Sequence, residues 1–272
     1  MPYQCPLCEL PLTRSDRSFV CNNNHQFDCA KEGYVNLMPV QHKGSKNPGD
    51  NKEMMQARRT FLAHGFYAPM RDKVAQTLTH YLTPKQHTVL DIGCGEGYYT
   101  SYFQQHAEQQ GHQSDYYGLD ISKVAIRYAA KRYPNIEFSV ASSHRLPFAD
   151  NSLDAIIRIY APCKHEELQR CLNAQSIMIT VTPASHHLYE LRELIYQDVR
   201  LHSEEAEQID GFELIDDLKL SYPMDLTGQQ ADDLLQMTPF AWKASLELRA
   251  SLKQQSLFIC QADFTIRIYR KS

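Results

Sequence analysis

No stretch of this 272-residue sequence approaches the ~20 consecutive apolar residues that cross a bilayer, so no membrane-spanning helix is expected. The opening MPYQCPLCEL has neither a basic n-region nor an apolar h-region. A signal peptide is therefore not expected, and the cytoplasm is the simplest compartment. Basic excess is missing too: 28 Lys and Arg stand against 32 Asp and Glu, for a net charge of −4 and a pI near 6.3. That excludes the bulk basicity of a general nucleic-acid coat protein, so contact with nucleic acid must use a local patch. There is one tryptophan. Cys29, Cys94, Cys163, Cys171 and Cys260 are scattered without a disulfide pattern and read as free thiols in a reducing compartment. What is present, 43% hydrophobic and 22% charged residues, is the make-up of an ordinary globular protein with length for one large or two small domains.

The other three cysteines are ordered. Cys5, Cys8, Cys21 and His25 read C-x2-C-x12-C-x3-H. Two ligand pairs separated by a hairpin suit a closed tetrahedral Zn2+ site, structural because four protein ligands leave no open position. Pro6 and Asn22–Asn24 supply turn chemistry in the two knuckles. A redox pair at Cys5 and Cys8, or a chance cluster, are the rival readings. His42 and Cys29 have poorer spacing. The module is too small for its own core, so metal binding would supply its stability. Next comes PVQHKGSKNPGD, which lacks hydrophobic period and reads as an exposed loop. His42, Lys43, Lys46, Arg58 and Arg59 are the most basic part of the chain, either a solvated surface or a phosphate-contacting edge. Apolar spacing predicts helices between Asn51 and Leu82, split at Gly65 and Pro69, with Pro84 ending the second.

The most informative run is TVLDIGCGEGYYT, Thr88–Thr100. A strand ends in Asp91, glycines stand at 93, 95 and 97, and a helix opens near Tyr98. Glycine lets backbone press close to a ligand, and a helix start offers unpaired N–H groups. The dinucleotide spacing G-x-G-x-x-G is not met, and no Lys-Ser or Lys-Thr follows as a Walker A loop needs. Downstream segments alternate between strand and helix patterns, predicting a parallel sheet with helices on both faces. Tyr116–Asp120 reads as the second strand. Asp120 stands where α/β nucleotide sites place a ribose-binding acid, or else caps the helix opening at Ser122. Strands are expected at 136–140, 152–159, 176–182, 211–222 and 258–269. Cys163, after the Tyr160-Ala161-Pro162 loop, could be a nucleophile or an ordinary thiol. Trp242, in QMTPFAW, either lines a base pocket or packs in the core.

The D-x-G-x-G-x-G run resembles motif I of the class I S-adenosylmethionine-dependent methyltransferases. With CPLC, HQFDCAKEGYVNL, PVQHK, MMQARRTFL, ASSHRLPF, RIYAPC and LLQMTPFAW, essentially the whole chain resembles the bacterial guanine-N1 methyltransferases of large-subunit (23S) ribosomal RNA. The resemblance implies an α/β Rossmann-like class I domain, with a mainly parallel seven-stranded sheet, and an N-terminal zinc ribbon. Divisions are expected at 1–37 for an RNA-recognising ribbon, 38–84 for linker and helices, and 85–272 for the methyltransferase. It implies S-adenosylmethionine and structural Zn2+ as cofactors. Its partner would be large-subunit rRNA, with no membrane, and a homodimer is allowed. Cofactor contacts carry over to Tyr67, Asp91, Gly93, Gly95, Glu96, Gly97, Tyr98, Asp120 and His187. Ser142 stands where many relatives have the adenine-binding Asp. Guanine N1 must lose a proton, and Tyr160, His187 and Glu190 are candidates for that chemistry by location only. A small-molecule, quinone-type methyltransferase and a cofactor-sensing RNA-binding protein are the alternatives.

Overall fold

The computed structural model describes residues 2–39, 51–83 and 86–272. The basic loop expected over residues 40–50, with His42, Lys43 and Lys46, and Pro84 as a helix terminator, lie outside the described residues. Among the described residues no helix is long and apolar enough to cross a membrane, and no cysteine is in a disulfide.

The chain begins with an antiparallel ribbon of β1 (Thr13–Ser15), β2 (Ser18–Val20) and β3 (Gln26–Asp28), followed by β4 (Val35–Asn36). Helix α1 (Lys52–Ala63) is capped by the Asn51 side chain, whose Oδ1 accepts from the Met54 amide at 2.9 Å. Gly65, at φ +79°, breaks the chain, and Pro69 sits in the first turn of α2 (Ala68–Tyr81), where its missing N–H costs nothing. Then come β5 (His87–Ile92), α3 (Tyr98–Gln109), β6 (Ser114–Asp120), α4 (Lys123–Arg132), β7 (Glu137–Val140), β8 (Leu153–Ile159), α5 (His165–Cys171) and β9 (Leu172–Pro183). The last part is α6 (Tyr189–Glu193), β10 (Phe212–Leu226), α7 (Gly228–Gln236), α8 (Leu246–Lys253) and β11 (Phe258–Lys271).

The large sheet runs β10-β11-β9-β8-β5-β6-β7-β4. Neighbours from β9 to β4 are parallel, and β11 is antiparallel to both β9 and β10. Strand order reverses at β5, which has β6 on one side and β8 on the other. The loop after β5 therefore opens into the crevice where α/β sheets bind ligands. The class I methyltransferase fold is as expected, but the sheet has eight strands rather than seven. The extra strand is β4, where Val35 pairs with Ser139 and covers the edge of β7.

Alternate residues of β5 point to opposite faces. Val89 enters one core with Met70, Val74 and Leu78 of α2, Phe103 of α3 and Ile126 of α4. Leu90 and Ile92 enter the other with Leu168 and Cys171 of α5. Helices do not cover this second face throughout, because no helix lies between β7 and β8. The ribbon stands there instead. Tyr3 packs its ring 5.5 Å from Phe19, 5.4 Å from Tyr117 and 5.0 Å from Phe148. Tyr3, Cys5, Leu12, Phe19 and Cys21 thus belong to one core with Leu90 and Ile92. We expect Phe19→Ala to lower the stability of the whole chain by about 3–5 kcal/mol, the usual cost of emptying a buried phenylalanine site. Urea unfolding followed by far-ultraviolet circular dichroism reads this. A lowered midpoint for a minor fraction of the signal, with the main transition unmoved, would show that the ribbon folds apart from the sheet.

Candidate functional site

The donor atoms of Cys5, Cys8, Cys21 and His25 all lie within 4.8 Å of one another. Cys8 Sγ is 3.6 Å from Cys21 Sγ, and His25 Nδ1 is 3.5 Å from the sulfurs of both Cys5 and Cys21. A tetrahedron with Zn–S and Zn–N bonds of roughly 2.0–2.3 Å has edges of about 3.5–3.8 Å, so the quartet has the size zinc requires. Two tight turns build it: the Glu9 amide donates to Cys5 O at 2.8 Å, and the Asn24 amide to Cys21 O at 2.9 Å. Asn24 takes a left-handed φ of 59°, which asparagine tolerates.

At the end of β5 the amides of Gly93 and Cys94 both donate to Leu119 O, at 2.9 and 3.0 Å, which bends the loop across β6. A Cβ on Gly93 would come 2.8 Å from Ala161 Cβ, and one on Gly97 2.9 Å from the Phe138 ring. Gly97, at φ +77°, also begins α3. Neither position accepts a side chain, so the bare backbone faces the crevice. Asp120 ends β6 with one carboxylate oxygen accepting from the Gly95 amide at 3.0 Å and the other from the Ser122 amide at 2.7 Å. It therefore fixes the loop and is held beside it. The cap of α4 comes from Ser122 itself, whose hydroxyl accepts from the Ala125 amide at 3.3 Å. Asp91 is 2% exposed and accepts from the Thr100 hydroxyl at 2.5 Å. Burial, with a smaller push from the Asp120 charge, raises its pKa to about 7 against the lowering effect of that hydroxyl. Ser142 lies one strand away, past β7, and its hydroxyl accepts from the His144 amide at 3.1 Å.

Opposite the loop stands an aromatic wall drawn from five separate segments. Tyr67, buried at the start of α2, packs edge-on to Phe264 at 5.1 Å. Tyr99, Tyr160 and Tyr222 bring their hydroxyls within electrostatic range of Tyr67, and the Tyr222 hydroxyl donates to Phe66 O at 2.8 Å. Buried His187 lies 4.8 Å from Phe264, ring to ring. Its Nδ1 accepts from the Asp263 amide at 3.2 Å, so in the neutral ring the proton is on Nε2, 3.4 Å from the Tyr160 hydroxyl oxygen. Burial above all, with the charges of His202 and Arg192, drives the His187 pKa down to about 3. Tyr160 is 45% exposed and held at φ 57°, a strained angle for a non-glycine residue; its phenol, neutral at pH 7 even with an ordinary pKa, is pushed further up by the protein packed around the hydroxyl. Both groups are therefore neutral hydrogen-bond donors.

Contacts run from Tyr67 to His187, ring to ring at 6.2 Å, and from Asp91 through the Asp120 charge to the glycine loop, with Ser142 just past the end of β7. Two expected residues make further contacts of their own. Tyr98 accepts a hydrogen bond from Arg71 at 2.9 Å while its hydroxyl stays within electrostatic range of Tyr222, and its neighbour Tyr99 lies on the wall. Glu96 forms a two-pronged ion pair with Arg59, at 2.5 and 2.7 Å, which ties α1 to the glycine loop. Arg58 donates to Met237 O at 3.3 Å, so both arginines also brace α1 against its neighbours. Glu190 accepts from the Gln261 amide at 2.8 Å, joining α6 to β11. Cys163 donates to Ser143 O at 3.0 Å, and burial raises it to about 12, which leaves a thiol and no nucleophile. Sequence reasoning missed Tyr99, in the first turn of α3, and Tyr222 and Phe264, inside β10 and β11, which no local pattern marks.

Residues 3–46 match the zinc-ribbon family model described as "RlmA, N-terminal", and residues 84–238 match a methyltransferase-domain model. A 23S rRNA (guanine(748)-N(1))-methyltransferase of Streptomyces fradiae is 32% identical over 88% of this chain and 85% of its own length. A Bacillus subtilis (strain 168) protein named for 23S rRNA (guanine-N(1)-)-methyltransferase activity is 30% identical over 98% of this chain and 94% of its own. The chain belongs to this 23S rRNA (guanine-N1) methyltransferase family. By contrast, a phthiotriol/phenolphthiotriol dimycocerosates methyltransferase of Mycobacterium ulcerans is 28% identical over 51% of this chain. Membership gives the ribbon and the crevice one context, since the family's similarity spans both. For the ribbon we expect one zinc per chain by elemental analysis, lost together with the order of residues 3–29 in Cys5→Ser. Full zinc retention in that variant would break the four-ligand assignment.

Proposed function

We propose that this chain methylates N1 of a guanine in a loop of 23S ribosomal RNA, in the cytoplasm, using S-adenosylmethionine. The observation that carries the reading is the end-to-end similarity to guanine-N1 methyltransferases, ribbon included, which small-molecule methyltransferases match over half the chain or less. The donor set fits the cofactor: a bare-backbone loop, an acid at the ribose position and a second, buried acid that lacks a cation. When bound, S-adenosylmethionine supplies an activated methyl group on a sulfonium.

In this account Asp120 accepts from the ribose hydroxyls, and Asp91 receives the positive amino end. Gly93, Gly95 and Gly97 allow close approach, while Ser142 faces the adenine. Tyr67 and His187 close the far side, and Zn2+ on Cys5, Cys8, Cys21 and His25 holds the ribbon (residues 1–37) as an RNA-facing module. Guanine carries a proton on N1, so methylation there requires that proton to pass to solvent water, which places negative charge on O6 until N1 takes the methyl group and the sulfonium becomes a neutral thioether. The Tyr160 hydroxyl, oriented by the Nε2–H of His187, is the donor for O6, and it stabilises the charge that develops. The flat ring of the base suits Tyr99, Tyr160 and Tyr222, the accessible part of the wall, which buried Tyr67 and Phe264 back.

Purified protein should transfer labelled methyl groups to unmodified 23S rRNA, with 1-methylguanosine the product after digestion. Label confined to small molecules or protein would contradict the proposal. Tyr160→Phe should lower the rate by roughly a hundredfold, the cost of losing one oxyanion donor, with little change in KM. Asp91 gives a pH-dependent test. Its carboxyl binds a proton more tightly in the folded than in the unfolded chain, so it lowers stability as pH rises from about 4 to about 7. Above pH 7 the cofactor-free Asp91→Asn protein should melt higher than wild type yet bind S-adenosylmethionine more weakly. In wild type that affinity should climb toward pH 7 and level off. A variant that melts lower and binds equally well would remove Asp91 from this role.

A further inference from the structure

Trp242 is the chain's one tryptophan, and it is 78% exposed. The core-packing alternative for it therefore fails. It sits in a 3-10 turn, Ala241–Lys243, between α7 and α8. A ring of this size in water forgoes the largest burial gain a side chain can offer. The turn is firmly built: the Lys243 amide donates to Phe240 O at 3.0 Å, the Ser245 hydroxyl caps α8 at 3.1 Å, and Phe240 packs 6.3 Å from Tyr196. The Lys243 ammonium lies 5.2 Å from the Trp242 ring and 4.6 Å from the Tyr196 ring. A cation is thus set beside an open aromatic face.

The turn also borders the crevice. Met237, just before it, accepts from Arg58 at 3.3 Å, and the Arg58 charge is felt by the hydroxyls of Tyr67 and Tyr99. Resting on the functional reading above, we propose that Trp242 and Lys243 form a stacking platform for an unpaired nucleotide of the RNA, adjacent to the guanine in the crevice. Guanine N1 is on the pairing edge of the base, so a reactive guanine is unpaired, and its neighbours in a loop are available to stack. An exposed aromatic face with a cation beside it is the means by which proteins hold single strands: the base stacks and the phosphate meets the charge. A purely apolar partner would gain from Trp242 and from Leu246, which is also 78% exposed, but would leave the Lys243 charge unmatched.

Because Trp242 is unique, its fluorescence reports on this site alone. On titrating wild type with unmodified 23S rRNA transcript, we expect saturable quenching and protection from acrylamide. Trp242→Ala should raise KM for the transcript roughly tenfold to a hundredfold while kcat and S-adenosylmethionine affinity hold, and Trp242→Phe should restore most of the loss. If wild type methylates the transcript with unchanged fluorescence and the alanine variant keeps its KM, the platform is refuted. Acrylamide protection that grows with protein concentration before RNA is added would mean that a second copy covers the ring, and this also overturns it. A wild type inert on the transcript removes the functional reading, and the platform with it.

Discussion

The face of the sheet that carries Leu90 and Ile92 has to be kept from water, and between β7 and β8 no helix does so. The rest of the structure depends on how this is solved. Tyr3 and Phe19 of the ribbon press onto Tyr117 and Phe148, and a three-stranded module with little interior of its own takes the place of a helix. The dependence is mutual. The ribbon gains a core, and β5 and β6, whose ends carry Asp91 and Asp120, gain a lining. Metal ligands Cys5 and Cys21 lie in the same apolar cluster as Ile92, one residue before the glycine loop. Zinc, sheet and cofactor crevice are therefore one mechanical unit, although they read as separate motifs in the sequence.

The crevice divides by charge. Its loop side carries two carboxylates, one buried enough to hold its proton to about pH 7, and suits a cationic cofactor. Its wall side carries neutral donors and aromatic faces, suited to a flat base that becomes negative as it reacts. Helix α1 joins the halves: Arg59 grips Glu96 in the loop, and Arg58 reaches the carbonyl of Met237 beside α7. Of the three groups considered for removing the guanine proton, none stands out as a free base. Tyr160 and His187 are neutral, and Glu190 is engaged with the Gln261 amide. The geometry favours stabilising the deprotonated base over pulling the proton away.

Features set by short-range spacing were legible in the sequence. The zinc quartet and the strand–glycine–helix run each follow from residues close together in the chain, and Asp120 does end the strand expected before it. The helix break at Gly65 and Pro69 is local in the same sense. Features set by long-range packing were not legible. The aromatic wall draws Tyr67, Tyr99, Tyr160, Tyr222 and Phe264 from five segments, and no local pattern marks them. Helix phase was not legible at Tyr98 and Tyr99 either, because neighbours on a helix point in widely different directions. The partner of Arg59 was hidden too, because sequence shows a charge but not that Glu96, far along the chain, pairs with it. That a ribbon replaces a helix over the second face was beyond reach, since hydrophobic periodicity shows that a face is buried and not what buries it.

The central claim is that this chain places a methyl group on guanine N1 of 23S rRNA. Its most direct test is mass-spectrometric mapping of 23S rRNA from cells with and without the protein. The account predicts that one guanine carries an N1-methyl group in the first sample and is unmodified in the second, with all other modifications unchanged. Identical maps from the two samples would contradict it.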